Sequence, residues 1–222
     1  MLELRHLTKS YPSRHGRRYV FRDLSFTFPA GANIGLIGRN GAGKSTLLRL
    51  LGGIDTPDSG DVRTDARISF PVGLAGGFQT TLSARDNVAF VGRIHGHTGQ
   101  ALRDLVQSVQ QFAEIGDYFD LPMKSFSSGM RSRVAFGMSM AFDFDYYLID
   151  EVMAVGDAQF KTKSQAVLLE KLRHANVILT SHNMADIRKF CNVVVHVDAG
   201  KVAVYEDVEA GIRAYQGLSA TA

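Results

Sequence analysis

The sequence of 222 residues contains a single cysteine, Cys191. One thiol cannot form a disulfide within the chain, so the disulfide-stapled class of small secreted domains is excluded. Long apolar runs are also missing. Stretches such as 134–142 have about half of the ~20 residues that span a bilayer, and they are typical of a buried helix. We therefore expect a chain that does not cross a membrane and that serves one only by binding a separate membrane protein.

An excess of charge of either sign is missing as well. The formal net charge is only +3, from 25 Lys and Arg against 22 Asp and Glu, which by itself gives no argument for binding nucleic acid. The one basic run, 13–18, is short and indicates an exposed loop, or alternatively a contact to phospholipid or a partner. The first residues lack the basic-then-apolar pattern of a signal peptide, so we expect no secretion signal.

Hydrophobic periodicity predicts strands at both ends of the chain and helices in its middle. Apolar and polar residues alternate over 23–28, and 34–37 is almost uniformly apolar, so both segments are predicted strands. The period becomes helical from about 81 to 142. Strands and helices then alternate, with a predicted hairpin over 193–205 and a last helix over 208–215.

This order of elements predicts an α/β fold. Strands that alternate with helices indicate a mainly parallel sheet with helices on both faces. We also expect an N-terminal antiparallel β portion and a helical lobe. The predicted organisation is one domain over 1–222, with a core formed by 1–80 and 143–222 and a helical subdomain at about 81–142.

A Gly-rich segment connects the buried strand 34–37 to a predicted helix. It fits the pattern G-x-x-x-x-G-K-[ST] with the residues Gly38, Arg39, Asn40, Gly41, Ala42, Gly43, Lys44 and Ser45, and Thr46 follows. Glycines let the backbone wrap closely around phosphates. The backbone N–H groups and the positive end of the helix then bind the phosphate oxygens. Lys44 then contacts the β and γ phosphates, and the Ser45 hydroxyl ligates Mg²⁺. The segment, including Thr46, is therefore a predicted nucleotide-binding P-loop.

Two acids end the predicted strand 146–150. In P-loop ATPases an aspartate at a strand end holds Mg²⁺ through water, and an adjacent glutamate polarises the attacking water. Acids at strand ends are common, and this pair gains its meaning from the P-loop earlier in the chain. We assign Asp150 to Mg²⁺ and Glu151 to the role of general base.

The P-loop alone leaves the class of nucleotide-binding protein open. A GTPase would need an Asn-Lys-x-Asp base reader, and the sequence contains no Asn-Lys pair. A small-molecule kinase stays possible on the P-loop alone. The deciding segment, 126–131, lies about twenty residues before the acid pair and resembles the signature motif of ATP-binding cassette (ABC) proteins.

That signature is usually Leu-Ser-Gly-Gly-Gln. Ser127 and Gly129 match it, and the positions that differ are Phe126, Ser128 and Met130. At a helix N-terminus, the Ser127 hydroxyl and the neighbouring N–H groups can bind a γ phosphate. We therefore assign Ser127, Ser128, Gly129 and Met130 to the nucleotide site.

Further residues stand in the order that the ABC family requires. The resemblance implies that Tyr11 stacks on adenine and that His182 contacts the γ phosphate. It implies that Gln79 reaches both Mg²⁺ and the attacking water. Asp157 occupies the family's D-loop, where Ala154 replaces the usual serine. The implied catalytic residues are Glu151, His182 and Gln79, and the implied Mg²⁺ ligands are Ser45, Gln79 and Asp150.

The resemblance also implies partners. In this family two ATP-binding domains pair head to tail, and each ATP lies between the P-loop of one chain and the signature segment of the other. We expect ATP and Mg²⁺ as cofactors, a homodimer, and a separate integral-membrane permease at the cytoplasmic face of the bacterial inner membrane.

Two segments indicate which class of substrate is transported. The segments 69–79 and 141–151 look like those of ATP-binding subunits of bacterial capsular polysaccharide exporters, and the D-loop and signature are also similar to those of O-antigen and teichoic acid relatives. The chain ends soon after Tyr215, so we expect no C-terminal carbohydrate-binding domain of the kind that some O-antigen relatives carry. The expectation is export of capsular polysaccharide, with another lipid-linked glycan as the alternative. A soluble cassette ATPase acting on DNA or ribosomes is the remaining alternative, and we expect no nucleic acid.

Overall fold

The computed structural model describes residues 1–14, 16–72, 78–150 and 158–220, with 218–220 described by their backbone alone. The strands are β1 (Leu2–Ser13), β2 (Gly16–Thr27), β3 (Ile34–Ile37), β4 (Ser59–Thr64), β5 (Tyr146–Asp150), β6 (Asn176–Thr180), β7 (Val193–Asp198) and β8 (Lys201–Tyr205). The α-helices are α1 (Lys44–Leu51), α2 (Ala84–Ile94), α3 (Gly99–Ala113), α4 (Ser128–Met140), α5 (Ala158–Lys171), α6 (Met184–Phe190) and α7 (Val208–Ala220). Two 3₁₀ helices span Gly116–Asp120 and Met123–Ser125.

The strands form two sheets of different character. A three-stranded sheet has the order β2-β1-β4, and both of its strand pairs are antiparallel. A five-stranded sheet has the order β5-β6-β3-β7-β8, in which only the pair β7-β8 is antiparallel. The predicted antiparallel N-terminal portion, the mainly parallel sheet and the hairpin near the C-terminal end are therefore confirmed.

The chain divides into two compact units. The first comprises Met1–Pro71, Phe144–Glu151 and His174–Ala222, and the second comprises Val72–Asp143 and Val152–Arg173. Both sheets belong to the first unit, and α5 groups with the helices of the second. The predicted organisation as a single domain stays a prediction.

Strand β3 is buried from both sides in the first unit. Leu36 is fully buried in an apolar cluster that includes Leu47 and Leu48 of α1. On the opposite side of β3, a Cβ added to Gly35 would lie 2.9 Å from the Cγ2 atom of Ile187 in α6. Because successive residues of a strand point to opposite faces, helices cover both faces of this sheet.

The second unit is held together by packed helices. Phe112 of α3 stacks on Phe136 of α4 with ring centroids 5.6 Å apart, and it contacts Phe160 of α5 edge-on at 5.3 Å. The aromatic rings remove a large apolar area from water, which is the main term that stabilises such a core. Among the residues that the structure describes, no helix is both long enough and apolar enough to cross a membrane.

Candidate functional site

Glycines of the segment 38–46 take conformations and positions that a side chain would not allow. Gly38 follows β3 with φ 154°, and a Cβ there would lie 2.1 Å from the carbonyl oxygen of Val197. Gly43 has φ 111°, and its Cβ would lie 2.6 Å from Val20 Cγ1. The sequence therefore needs glycine at both positions for the loop to wind tightly between β3 and α1.

Lys44 begins α1 and its side chain folds back over the loop. The residue is only 7% exposed, and its Nζ donates to the carbonyl oxygens of Gly38 at 2.8 Å and Arg39 at 3.2 Å. An ammonium group held inside a loop at the positive end of a helix attracts anionic oxygens. This arrangement suits a polyphosphate.

Ser45 and Asp150 bring a hydroxyl and a carboxylate together near Lys44. Ser45 Oγ donates to Asp150 Oδ1 at 3.2 Å, and Thr180 Oγ1 donates to the same carboxylate oxygen at 2.6 Å. Hard oxygen atoms are the ligands that Mg²⁺ prefers, and this ion usually keeps several waters or phosphate oxygens. Among the described residues no group of three or more His, Cys, Asp or Glu side chains converges on a metal position. A Mg²⁺ ion here would therefore complete its shell with water and phosphate.

A cleft of about 580 Å³ opens beside the loop. Its lining comprises Tyr11, Pro12, Ser13, Arg18, Val20, Asn40, Gly41, Gly43, Lys44, Ser45 and Thr46. Tyr11 of β1 faces Arg18 of β2 across the strand pair. The cleft is thus lined by a tyrosine and an arginine from β1 and β2 and by residues of the glycine-rich loop, a combination that suits a nucleotide.

The Tyr11 hydroxyl is held by two charged side chains. It donates to Asp55 Oδ2 at 2.6 Å and accepts from Arg49 Nη2 of α1 at 3.2 Å. Burial alone would raise the pKa of Asp55, but hydrogen bonds from Lys9 and Tyr11, together with the charge of Lys9, lower that pKa below its ordinary value. The carboxylate is therefore charged at neutral pH.

His182 also belongs to the first unit. It is exposed and follows β6, two residues after Thr180. The next residue, Asn183, caps α6 by accepting a hydrogen bond from the Ala185 N–H at 3.1 Å. The sequence predicted this histidine at the end of a buried strand, and the structure places it there.

The remaining predicted site residues that are described lie in the second unit. Ser127 is the N-cap of α4, and its hydroxyl accepts a hydrogen bond from the Met130 N–H at 3.2 Å.

Gln79 is exposed, and the side chain of buried Asn87 makes hydrogen bonds to both its backbone N–H and its backbone carbonyl. Asn87 Oδ1 accepts from the Gln79 N–H at 2.8 Å, and Asn87 Nδ2 donates to the Gln79 carbonyl at 3.0 Å. Glu151 and Asp157 lie outside the described residues.

Some residues of the site were missed by sequence reasoning. They are Arg18 in the cleft wall, Asp55 on the Tyr11 hydroxyl, Asn87 on the Gln79 backbone and Thr180 on Asp150. A signal existed for Thr180, because it ends the strand beside β5 in a parallel pair whose carboxyl ends share one edge. The contact between Asp55 and Tyr11 joins residues 44 positions apart and has no local signal.

Comparison with known proteins identifies one family model and several relatives of the same kind. The sequence model of the family described as ABC transporter matches residues 21–154, more than half of the chain. The polysialic acid transport ATP-binding protein KpsT of Escherichia coli is 49% identical over 217 residues, which are 97% of this chain and 96% of the relative. The capsule polysaccharide export ATP-binding protein CtrD of Neisseria meningitidis serogroup B is 39% identical over 219 residues, which are 98% of this chain and 100% of the relative.

Solved structures give the same fold. The ATP-binding cassette MJ0796, in a dimeric post-hydrolysis state bound to ADP and Pi, superposes with a TM-score of 0.73. It is 22% identical, and the match covers 92% of this chain and 98% of that one. At this identity the likeness bears on the fold alone, and it confirms the predicted cassette fold.

Proposed function

Because the chain belongs to the ABC transporter family and is an ATPase of that family, we propose that it drives the export of capsular polysaccharide across the bacterial inner membrane. The observation that supports this substrate class most strongly is the identity of 49% over 97% of the chain with a polysialic acid transport ATP-binding protein. Similarity over the whole length, rather than over the P-loop alone, is what separates this proposal from a general nucleotide-binding role.

The P-loop binds the triphosphate in this proposal. The loop residues 38–46 surround the β and γ phosphates with backbone N–H groups, and Lys44 supplies the buried charge. Tyr11, which lines the same cleft, stacks on the adenine.

Ser45 and Asp150, whose Oγ and Oδ1 atoms lie 3.2 Å apart, would hold the Mg²⁺ that accompanies ATP. The family resemblance implies that Gln79 would be a further ligand. When bound, the ion would neutralise charge on the β and γ phosphates and so favour transfer of the γ-phosphoryl group to water, with ADP as the leaving group. Thr180 donates to Asp150 Oδ1 and so orients this carboxylate.

Hydrolysis needs a base for the attacking water and a contact to the γ phosphate that the water attacks. Glu151 directly follows Asp150, the proposed Mg²⁺ ligand, in the sequence. We therefore assign Glu151 the role of the general base that accepts a proton from the attacking water. His182 contacts the γ phosphate, and Gln79 orients the water. These three residues form the proposed catalytic set.

A second copy of the chain completes each ATP site. The Ser127 hydroxyl accepts from the Met130 N–H, which uses a lone pair and leaves its O–H as a donor for the partner's γ phosphate. The segment Ser127, Ser128, Gly129 and Met130 thus faces a neighbouring P-loop, with Asp157 at the same seam. ATP stabilises the closed dimer because it binds that state better than the open one.

A membrane protein partner is needed to couple ATP hydrolysis by the dimer to transport. We propose an integral-membrane permease with two copies of each subunit, and a location at the cytoplasmic face of the inner membrane. The net charge of +3 gives no reason to add nucleic acid to the partners.

Export of another lipid-linked glycan is the second candidate. An O-antigen export system ATP-binding protein of Klebsiella pneumoniae is 32% identical over 97% of this chain. This identity is well below the 49% of the polysialic acid transport relative, which favours capsular polysaccharide.

The test uses the bacterium that carries this chain. Deleting its coding sequence should leave capsular polysaccharide inside the cell, and the wild-type chain, but not Lys44→Ala, should restore it to the surface. An affinity-tagged chain should purify from solubilised membranes with a polytopic membrane protein. Intracellular accumulation of O-antigen instead would favour the second candidate, and co-purification of ribosomes or DNA without a membrane protein would refute transport.

A further inference from the structure

The Tyr11 ring is anchored from outside the cleft. Its hydroxyl contacts Asp55 Oδ2 at 2.6 Å and Arg49 Nη2 at 3.2 Å, while its ring lines the cleft. Asp55 Oδ1 accepts hydrogen bonds from Lys9 Nζ at 2.5 Å and from the Thr56 N–H at 2.9 Å, and Lys9 Nζ lies 4.9 Å from the Tyr11 ring centroid. Lys9 is 7% exposed, whereas Tyr11, Arg49 and Asp55 are half-buried.

The same network leads to the helix that follows the P-loop. Arg49 belongs to α1, which begins at Lys44, and its Nη2 also lies 3.5 Å from Thr46 Oγ1. Its carbonyl oxygen accepts the N–H groups of Ile54 and Asp55 at 2.9 and 3.2 Å. One set of hydrogen bonds therefore connects Thr46, at the P-loop, through Arg49 to Tyr11.

We propose that Asp55, together with Arg49, is a positioning residue that holds the Tyr11 ring in place for the nucleobase. This inference rests on the proposed ATP-binding function and adds to it the residues that determine how much the base contributes to affinity. Asp55 does not line the cleft and acts through Tyr11.

The physical reason is preorganisation. A tyrosine at the edge of a cleft loses side-chain freedom when a base stacks on it, and that loss reduces affinity. Hydrogen bonds at the hydroxyl restrict the ring before the ligand arrives. Both bonds are charge-assisted and therefore stronger than neutral hydrogen bonds, and the bond to Asp55 is the shorter of the two, at 2.6 Å against 3.2 Å.

The test separates the contribution of the nucleobase to binding affinity from that of the phosphates. Calorimetric titration with Mg–ATP and with Mg–tripolyphosphate gives two dissociation constants for each protein, and their ratio measures the contribution of adenosine. The variants are Tyr11→Phe, which keeps the ring and removes the hydroxyl, and Asp55→Asn, which keeps an acceptor and removes the charge. The matched control is Asp58→Asn in the same loop, since Asp58 accepts hydrogen bonds from Ser10 and Arg17 rather than from Tyr11.

We expect Tyr11→Phe and Asp55→Asn to weaken ATP binding about 3- to 10-fold, as the loss of one hydrogen bond would, and to leave tripolyphosphate binding unchanged. Asp58→Asn should leave the ratio at its wild-type value. Unchanged ratios in both variants, or equal losses for both ligands, would overturn the positioning role while leaving the proposed function intact. A wild-type chain that binds no ATP would overturn the proposed function and this inference together.

Discussion

Ser45 Oγ lies 3.2 Å from Asp150 Oδ1, a contact between residues 105 positions apart in the chain. Ser45 stands in the first turn of α1 and Asp150 ends β5, so the fold joins the phosphate loop to the edge of the parallel sheet. Thr180 at the end of β6 donates to the same oxygen and fixes the carboxylate. The fold thereby places a hydroxyl beside a carboxylate, as the proposed Mg²⁺ site requires.

Asp150→Asn tests this arrangement. Asparagine keeps an oxygen for Ser45 and Thr180 but removes the charge, so we expect ATP binding in EDTA to be unchanged. The gain in affinity on adding Mg²⁺ should fall at least about 10-fold, because a hard cation loses its carboxylate. Titration calorimetry with and without Mg²⁺ measures both quantities. An undiminished gain would contradict the assignment of Asp150.

Glu151→Gln tests the general base. We expect ATP binding to persist, hydrolysis to slow at least ~100-fold, and an ATP-bound dimer to accumulate, because chemistry is blocked after assembly. Phosphate release and sedimentation measure these effects. Glu170→Gln on α5 is the matched control, since that exposed acid pairs with Arg173 and should not alter turnover. Wild-type turnover in Glu151→Gln would remove this residue from the catalytic set.

Gly38→Ala tests the close approach of the loop to β7. A Cβ at this position would lie 2.1 Å from the Val197 carbonyl oxygen, so we expect a loss of about 2–4 kcal/mol in the free energy of unfolding from overpacking and backbone strain. Gly53→Ala is the control, because Gly53 also has a positive φ of 67° but nothing within 4 Å of the added Cβ, and it should cost about 1 kcal/mol. Urea unfolding monitored by circular dichroism compares them. Equal losses would show that the approach to Val197 is unimportant.

The pKa of Asp55 predicts a dependence of stability on pH. Burial alone would raise this pKa, but hydrogen bonds from Lys9 and Tyr11 and the Lys9 charge lower it in the folded chain. A carboxyl group with a lowered folded pKa stabilises the fold above its unfolded value, near pH 4, and this contribution is lost as the pH falls through the folded pKa. Asp55→Asn lacks this titration. We therefore expect it to melt below the wild type at pH 7 and to approach the wild type at pH 3, as measured by thermal denaturation. Melting-temperature differences that are the same at both pH values would contradict the role given to the carboxylate.

Local patterns in the sequence were enough to predict the main elements of the fold. The P-loop between a buried strand and a helix, the helix that begins after Ser127, and the hairpin of β7 and β8 all follow from periodicity and turn residues, and the structure confirms them. Boundaries were less accurate, since α7 continues beyond Tyr215 to Ala220. Helix ends depend on tertiary packing, which periodicity does not contain.

The site was predicted as a set of residues but not as a network. Lys44, Ser45 and Tyr11 line one cleft as expected, while the contacts of Tyr11 with Asp55 and Arg49 depend on chain segments that only the folded sheet brings together. The roles of all the site residues stay predictions.

Mixing two inactive variants tests most directly whether ATP is shared between two copies. Lys44→Ala removes the P-loop charge and Ser127→Arg blocks the signature segment, so each variant alone should lack ATPase activity. In a mixed dimer the intact P-loop of one chain meets the intact signature of the other at one of the two sites. We predict that an equimolar mixture regains up to about a quarter of the wild-type rate of phosphate release, because half of the dimers are mixed and each has one complete site. A mixture as inactive as either variant, or a fully active Ser127→Arg chain, would contradict the shared site.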